Sequence, residues 1–405
     1  MDGGAAEHGA RQVRRSPLVP ARLPARQHHS LHPRGDPLLS RRRGVCRVGV
    51  GEFEMTVFLS SDRIRSMVIG IIFGGTGAEE FDNLRAVKDF EAVARHYKLA
   101  TRRFYLNAAD FNECSFAGVD IFFVIDSNCK NKNNKKRIIK YIKENNVPFI
   151  GQSESTIALA RDKRKFSTLL RSSKIKVANS IILENKKLTS LDFKKYYDFI
   201  AGVGYPIVVK DNFGSSSENL ALCNNAEEFS EKYDLIAKNC KQVLIEQYIG
   251  GIEITNPCVK ICGKNISLNP IEIIYKGKMY DYRLKNITLR NKLRIPPRLN
   301  RTMVANARRI ALRCDSFIGS GFYSRTDMKV FNGNIFVLEI NGEPVLSKND
   351  FVSRSAKSLG ISYPKLIIGL LCNEKAFREY AREKNLKLRN FIDHIERAMN
   401  KINED

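Results

Sequence analysis

The chain has 405 residues, 43% of them hydrophobic, and a formal net charge of +25. At roughly 100–200 residues per domain it has room for two to four domains, and no apolar run approaches the roughly 18 residues that cross a membrane. The basic excess is dispersed among Asn, Glu and Ser without a helix-turn-helix, zinc-finger or RNA-recognition pattern, so it reads as solvated faces rather than a nucleic-acid binder.

The first 66 residues carry twelve Arg and no Lys, four of the six His, and weak hydrophobic periodicity. Segment 1–66 reads as an unstructured Arg/Pro-rich extension, with the folded unit starting at Met55 or Met67; a transit-like arm is the other reading. From Met67, "MVIGIIFGG" predicts a buried strand entering a Gly-rich turn. "EFDNLRAVKDFEAVARHYK" has helical spacing, with Leu84, Val87, Phe90, Val93 and Ala94 on one face. "LATRRFYLN", "VDIFFVID" and "VPFIG" read as further strands around a polar helix. Strands alternating with helices imply a parallel sheet covered on both faces, over 67–160. A second unit, 161–242, holds the helix "DKRKFSTLLRSSKI", a strand–loop–strand in "YPIVVKDNFGSSSENLALC" and the helix "AEEFSEKYDLIAKNC". A third, 243–375, runs from "QVLIEQYI" through a strand pair and a helix near 300–314 to "IFVLEINGEP". A charged helix over 376–405 closes the chain. The nine cysteines are scattered without a CxxC pair. Cys258 and Cys262 lack a zinc spacing, and free thiols in a reducing cytoplasm are the expectation.

Three stretches carry chemistry. In "YPIVVKDNFGSSSEN" a strand delivers Lys210 to a loop of Gly214, Ser215, Ser216 and Ser217. Glycine lets backbone approach phosphate, consecutive N–H groups cradle anions, and lysine adds a point charge. Alone, an ordinary Gly/Ser hairpin fits equally well. In "VLIEQYIGGIE" an apolar strand ends in Glu246, Gln247, Tyr248 and Ile249, with Glu253 following. Such a strand can offer backbone to a purine edge and a carboxylate to ribose hydroxyls; a strand entering a Gly turn with exposed acids is the plainer reading. In "YSRTDMKVFNGNIFVLEINGEP" Arg325 and Asp327 share one strand face, and after an Asn-Gly turn Glu339 and Asn341 share the returning face. The hairpin gathers three hard oxygen ligands, Asp327, Glu339 and Asn341, suited to Mg²⁺. Arg325 beside them can clamp a phosphoryl or oxyanion group.

These elements, in this order, resemble the ATP-grasp superfamily, and most closely its D-alanine–D-alanine ligases, over residues 67 to about 374. "IIFGGTGAEE" resembles that family's opening turn, with Glu79 facing substrate. "VPFIGQSESTIALARDKRKF" resembles the interdomain segment with its ATP-contacting lysine, here Lys163. "MYDYRLKN" resembles the Tyr-Asp-Tyr motif before a phosphate-contacting lysine, here Lys285. "NGEPVLSKNDFVSRSAKSLGISYPKLI" resembles the closing substrate segment. The resemblance implies an α/β, three-domain ATP-grasp fold with an α+β ATP-binding part. It implies a ligase joining a carboxylate to an amine through an acyl phosphate, with ATP and Mg²⁺ (Mn²⁺ possible) and often a homodimer. Lys163, Lys210, Ser215, Ser216 and Lys285 would contact phosphates; Glu246, Gln247 and Ile249 the adenine; Glu253 the ribose. Asp327, Glu339 and Asn341 would hold the metal, and Arg325, Lys285, Glu79 and Ser215 would act in catalysis.

The departures lie in the amino-acid half. Gly77 and Glu80 flank Glu79 where the family has Ser and His. "SNCKNKNNKK" replaces an acidic Gly-rich loop, and Asp211 a proline. Asn286 follows Lys285 where tyrosine is common. Pro344-Val345 replaces Pro-Gly, and Asp350 stands where the family's serine binds the acceptor carboxylate, or, with the alignment shifted by a few residues, Ser347 or Ser353 takes that place. Donor and acceptor therefore stay open, with D-alanine itself as one alternative. A catalytically weak ATP-binding protein of the same fold is another. A dinucleotide-binding oxidoreductase fails, since "GGTGAEE" lacks a GxGxxG and leaves the carboxylate hairpin unexplained.

Overall fold

A computed structural model describes residues 66–402 apart from 76–77, 126–127, 185–187, 215–218 and 280–291. The extension 1–66 therefore lies outside the described residues but for Ser66, as do Ser215, Ser216, Lys285 and Asn286.

The first unit is a four-stranded parallel sheet. It is built from β1 (Val68–Phe73), β2 (Ala100–Tyr105), β3 (Ile121–Val124) and β4 (Phe149–Ile150), in the order β2-β1-β3-β4. β1 is apolar along its whole length because both faces are covered. Helix α1 (Ala78–His96) packs Val87, Phe90 and Val93 against Ile69, Ile71 and Phe123 on one side, and α2 (Lys132–Glu144) sets Ile138 and Ile142 near Phe122 and Val124 on the other. Acidic Glu79 and Glu80 open α1 and Arg95 and His96 close it, matching the helix dipole.

Two short helices follow, α3 (Glu154–Arg161) and α4 (Lys163–Ser172), with the Asp162 side chain accepting from the Lys165 N–H at the head of α4. The second sheet is antiparallel, from β5 (Ser180–Leu183), β6 (Ile207–Asp211), β7 (Leu220–Cys223) and β8 (Val243–Gln247), in the order β5-β8-β6-β7. Helix α5 (Ser190–Val203) starts in a Thr189–Asp192 capping box, and α6 (Ala226–Ala237) on Asn225. Both pack aromatic side chains, including Tyr196, Phe229 and Tyr233, on this sheet.

The run 243–247, placed by the sequence at the head of the third unit, instead completes the second sheet between β5 and β6. Its first four residues are buried, and a central strand covers them where a domain edge would not. The second unit therefore extends past 242, and the chain leaves its sheet at Gln247.

The third sheet is antiparallel. It comprises β9 (Ile252–Ile261), β10 (Lys264–Ser267), β11 (Ile271–Ile274), β12 (Lys292–Arg294), β13 (Tyr323–Phe331) and β14 (Asn334–Asn341), in the order β12-β11-β9-β13-β14 with β10 beside β9. Helix α7 (Arg301–Phe317) buries Ala307, Ala311 and Cys314 in the cluster that holds Ile254 and Met328. Helices α8 (Phe351–Ser358) and α9 (Tyr363–Leu371) follow.

The tail is two helices rather than one charged helix: α10 (Lys375–Lys384) and α11 (Leu386–Ile402). They break at Asn385, whose side chain accepts from the Leu388 N–H and donates to the Tyr97 carbonyl. Phe377, Ala381, Leu388, Ile392, Ile395 and Met399 join the cluster that includes Phe90 and Val93 of α1. The charges masked this stripe because Phe377, Ala381, Leu388, Ile392 and Ile395 are each followed by a charged residue. Among the described residues no helix is long and apolar enough to cross a membrane.

Candidate active site

One cleft gathers residues from α4, from all the strands of the second sheet that carry predicted ligands, and from the third sheet. Lys163, Lys210, Glu246, Gln247, Ile249, Glu253, Arg325, Asp327 and Glu339 all line it. The space between its walls, open solvent at the mouth included, is about 1060 Å³.

Lys210 and Glu246 lie on neighbouring strands. Lys210 pairs with Leu244, and Glu246 is two residues further along, so the two side chains are diagonal on one face. Their charges meet at 2.6 Å with 11% and 10% of the side chains exposed. Lys163 begins α4, donates to the Gly214 carbonyl at the root of the Gly/Ser loop, and lies 3.5 Å from Glu339 Oε2. A single residue holds this junction together. Asn212, fully buried, accepts from the Arg164 N–H at 2.8 Å and donates to Asp162 and to Gln242. Its carbonyl accepts from the Lys163 N–H at 3.3 Å. The sequence pattern assigns Asn212 no role.

The hairpin of β13 and β14 sets Asp327 opposite Glu339 and Arg325 opposite Asn341. The register then shifts, leaving Leu338 as an extra residue on β14. This bulge brings both Leu338 and Glu339 to the cleft, which strict alternation forbids. Arg325 forks onto Asp327 with two bonds of 3.1 Å and stacks over the Phe351 ring at 5.0 Å. Burial works to lower the Arg325 pKa, but Asp327 first, then Asp350 and Glu339, outweigh it and raise it, so the guanidinium stays charged. The Thr255 hydroxyl, from the partner strand, donates to Asp327 Oδ1. Asp327, Glu339 and Asn341 are all oxygen donors on one hairpin, a set that fits a hard divalent cation.

Three predicted residues stand elsewhere. Asn341 faces Arg325 in the register but is not part of the cleft wall. Glu79 sits in the first turn of α1, 3.5 Å from the Asn128 amide. Asp350 is the N-cap of α8, accepting from the Phe351 N–H, so the fold gives it a structural task beside its field on Arg325. Ser215, Ser216, Lys285 and Asn286 lie outside the described residues. Conversely, Lys329, Lys278 and Phe351 line the cleft without having been predicted to, and so does Tyr248, which the sequence placed only at the strand end. Lys329 was legible as the third member of the Arg325–Asp327 alternation. Burial first, and Glu253 second, raise the Tyr248 phenol.

A parallel-sheet unit, a small antiparallel sheet and a large one closing on a cleft of lysines and carboxylates define an ATP-grasp protein. The sequence model described as D-ala D-ala ligase C-terminus matches residues 169–372. The chain belongs to the D-alanine–D-alanine ligase family, and is an ATP-dependent ligase. It is 25% identical over 303 residues to the D-alanine–D-alanine ligase of Halalkalibacterium halodurans, covering 74% of this chain and 97% of that one. The D-alanine–D-alanine ligase structure from Bacillus anthracis complexed with ATP superposes with a TM-score of 0.63 and 21% identity, over 79% of this chain and 99% of that one. The VanG D-Ala:D-Ser ligase from Enterococcus faecalis gives a TM-score of 0.63 at 19% identity, over 76% of this chain and 99% of that one. The two structural likenesses establish the fold.

Proposed function

We propose that the cleft binds Mg·ATP and joins a small carboxylic acid to an amine, releasing ADP and phosphate. The observation that carries this is the convergence of Lys163, Lys210 and Arg325, from three separate elements, on the cleft that also holds Asp327 and Glu339. In this reading Lys163 and Lys210 bind phosphate oxygens. The apolar end beside Ile249 takes the purine, with Glu246 and Gln247 at its edge, and Glu253 takes the ribose. Asp327 and Glu339, with Asn341 behind them, would hold the metal, which neutralises charge on the phosphate groups when bound. Arg325, kept charged and fixed by its fork and ring, orients and stabilises the transferring phosphoryl group. A substrate carboxylate oxygen attacks the γ-phosphorus, the bond to ADP breaks, and the amine nitrogen then displaces phosphate from the acyl carbon. Ser215, Ser216 and Lys285 complete the phosphate contacts, and Glu79 and Asn286 the substrate side. A homodimer and a cytoplasmic location belong to the same reading, on the family resemblance and on eight described cysteines that are all free thiols.

The ligase of Halalkalibacterium halodurans is named for D-alanine on both sides of the bond, and VanG for D-alanine and D-serine. Asp350, an anion whose field reaches Arg325, disfavours an acceptor that brings its own carboxylate there. We therefore place a neutral or cationic acceptor group at that end. ADP release measured against amino acids, diamines and hydroxy acids tests both points. ADP formation that depends on a carboxylate–amine pair supports the ligase reading; ATP hydrolysis indifferent to every pair refutes it. Efficient D-alanyl-D-alanine formation refutes the acceptor assignment alone.

A further inference from the structure

The cleft holds a cation that the reaction as described does not use. Lys329 of β13 is the direct cross-strand partner of Glu253 of β9. Both side chains are nearly buried, at 7% and 12% exposed, with Nζ 2.9 Å from Glu253 Oε2. The Tyr275 hydroxyl, just beyond β11, donates to the same Oε2 at 2.7 Å and accepts from Lys329 Nζ at 2.7 Å. The three groups close a ring in which each fixes the other two. Two of the three Lys329 N–H donors and the tyrosine's one proton are committed within the ring. Both ring contacts end on Oε2, which locks the carboxylate and leaves Oε1 as the oxygen to receive a donor from the cleft. A carboxylate held in place by an ion pair and a phenol is pre-organised for paired hydroxyl donors.

We propose that Lys329 is a positioning residue that sets sugar selectivity in this cleft, holding Glu253 to accept from the ribose hydroxyls of the nucleotide; this rests on the nucleotide reading above. Hydroxyl contacts to a charged acceptor are worth about one to two decades in affinity. The cleft therefore selects ribonucleoside over dideoxyribonucleoside triphosphates, and Lys329 carries that selection without touching the sugar.

The test is titration calorimetry of the full chain with Mg·ATP and with Mg·2′,3′-dideoxyATP. The wild type is expected to prefer ATP about 10–100-fold. In Lys329→Met the preference falls to within about threefold, the loss being confined to ATP, and Lys329→Arg restores it in part. A merely structural lysine predicts equal weakening of both nucleotides. That result, or an unchanged preference in Lys329→Met, overturns the proposal. Should Lys329→Met not fold, because it orphans a buried carboxylate, Lys329→Met/Glu253→Gln leaves no buried charge and reads the same ratio against Glu253→Gln alone. There, a further loss of preference from Lys329→Met, once Glu253 is neutral, counts against positioning through Glu253. Failure of the nucleotide reading looks different: the wild type then binds neither nucleotide, or Lys210→Met leaves both affinities unchanged.

Discussion

Replacing Lys210 by Met keeps most of the side-chain volume and removes the charge that faces Glu246 at 2.6 Å. At an effective dielectric of about 20, that separation corresponds to roughly 6 kcal/mol of gross attraction, most of it offset by desolvating both ions. What the substitution leaves is a carboxylate 10% exposed with its partner gone, and orphaned buried charges cost about 3–5 kcal/mol. If Lys210 also binds a phosphate oxygen, the same substitution removes about 1.5–3 kcal/mol of binding, or ten- to hundredfold in affinity. The two effects separate in a cycle. Urea unfolding should show Lys210→Met strongly destabilised and Lys210→Met/Glu246→Gln largely recovered. Calorimetry should show the ATP affinity abolished or weakened in both, with adenosine, which has no phosphates, changed less than about threefold by Lys210→Met. If ATP affinity returns with stability in the double variant, or if adenosine weakens as much as ATP, Lys210 holds the sheet and does not bind phosphate.

Glu339→Gln should lower ADP release about a hundredfold while leaving the unfolding midpoint nearly unchanged, its pair with Lys163 being loose at 3.5 Å. Asp327→Asn should lower ADP release as much but also destabilise, because it leaves the buried Arg325 without its carboxylate. Chelation should silence the wild type until Mg²⁺ is restored. Near-normal turnover in either variant at low Mg²⁺ removes that residue from the metal set. Gly251 has φ +87, and a Cβ there collides with the Val330 carbonyl. Gly251→Ala should therefore cost at least the roughly 1–3 kcal/mol of a strained backbone. At Gly250 the added Cβ meets Phe331 at 3.5 Å, an ordinary contact, so Gly250→Ala should be nearly neutral by denaturant unfolding. Burial raises the Asp315 carboxyl above its ordinary 3.8, against the lowering bonds from Ser324 and Ser320. A raised folded-state value favours the native state most below 3.8 and loses that contribution as pH climbs through the shifted value. Asp315→Asn should thus fare better relative to wild type at pH 8 than at pH 4; a difference that is flat across that range counts against the shift.

The parts of the fold that were legible in the sequence are those whose pattern has one physical solution. A strand apolar at every position, as in "VIGIIF", has to be covered on both faces, and it is. The residues of the cleft were legible because Lys210, Glu246, Asp327 and Glu339 interrupt otherwise apolar strands at single points. The misreadings share a cause, which is that pairing partners are not written in a strand's own residues. "VLIEQ" is as apolar as any central strand, and only its register with β5 and β6 assigns it to the second sheet. The bulge at Leu338 is invisible to a rule of alternation, and so is the stripe of α10 and α11, whose burial depends on α1 nearly 300 residues earlier in the chain.

Pairing also explains how one cleft can carry so many charges. Lys210 meets Glu246, Lys163 meets Glu339, Arg325 meets Asp327 and Lys329 meets Glu253. Each cation is thereby neutralised without ligand, which lowers the cost of burying it. The pairs differ in how readily they exchange partners. Lys163 is 3.5 Å from Glu339, a loose contact that phosphate oxygens and a divalent cation can replace with shorter ones on both sides. Arg325 and Asp327 share two bonds of 3.1 Å, so one can be given up while the Phe351 ring keeps the guanidinium in place. Lys329 and Glu253 are closed by the Tyr275 hydroxyl at 2.7 Å on each side, so displacing either breaks two short bonds. On the proposed function, the Lys163 and Arg325 pairs are the ones that ligand charge displaces and the Lys329 ring is the one that survives, while Lys210, held at 2.6 Å by Glu246, turns a further N–H towards phosphate.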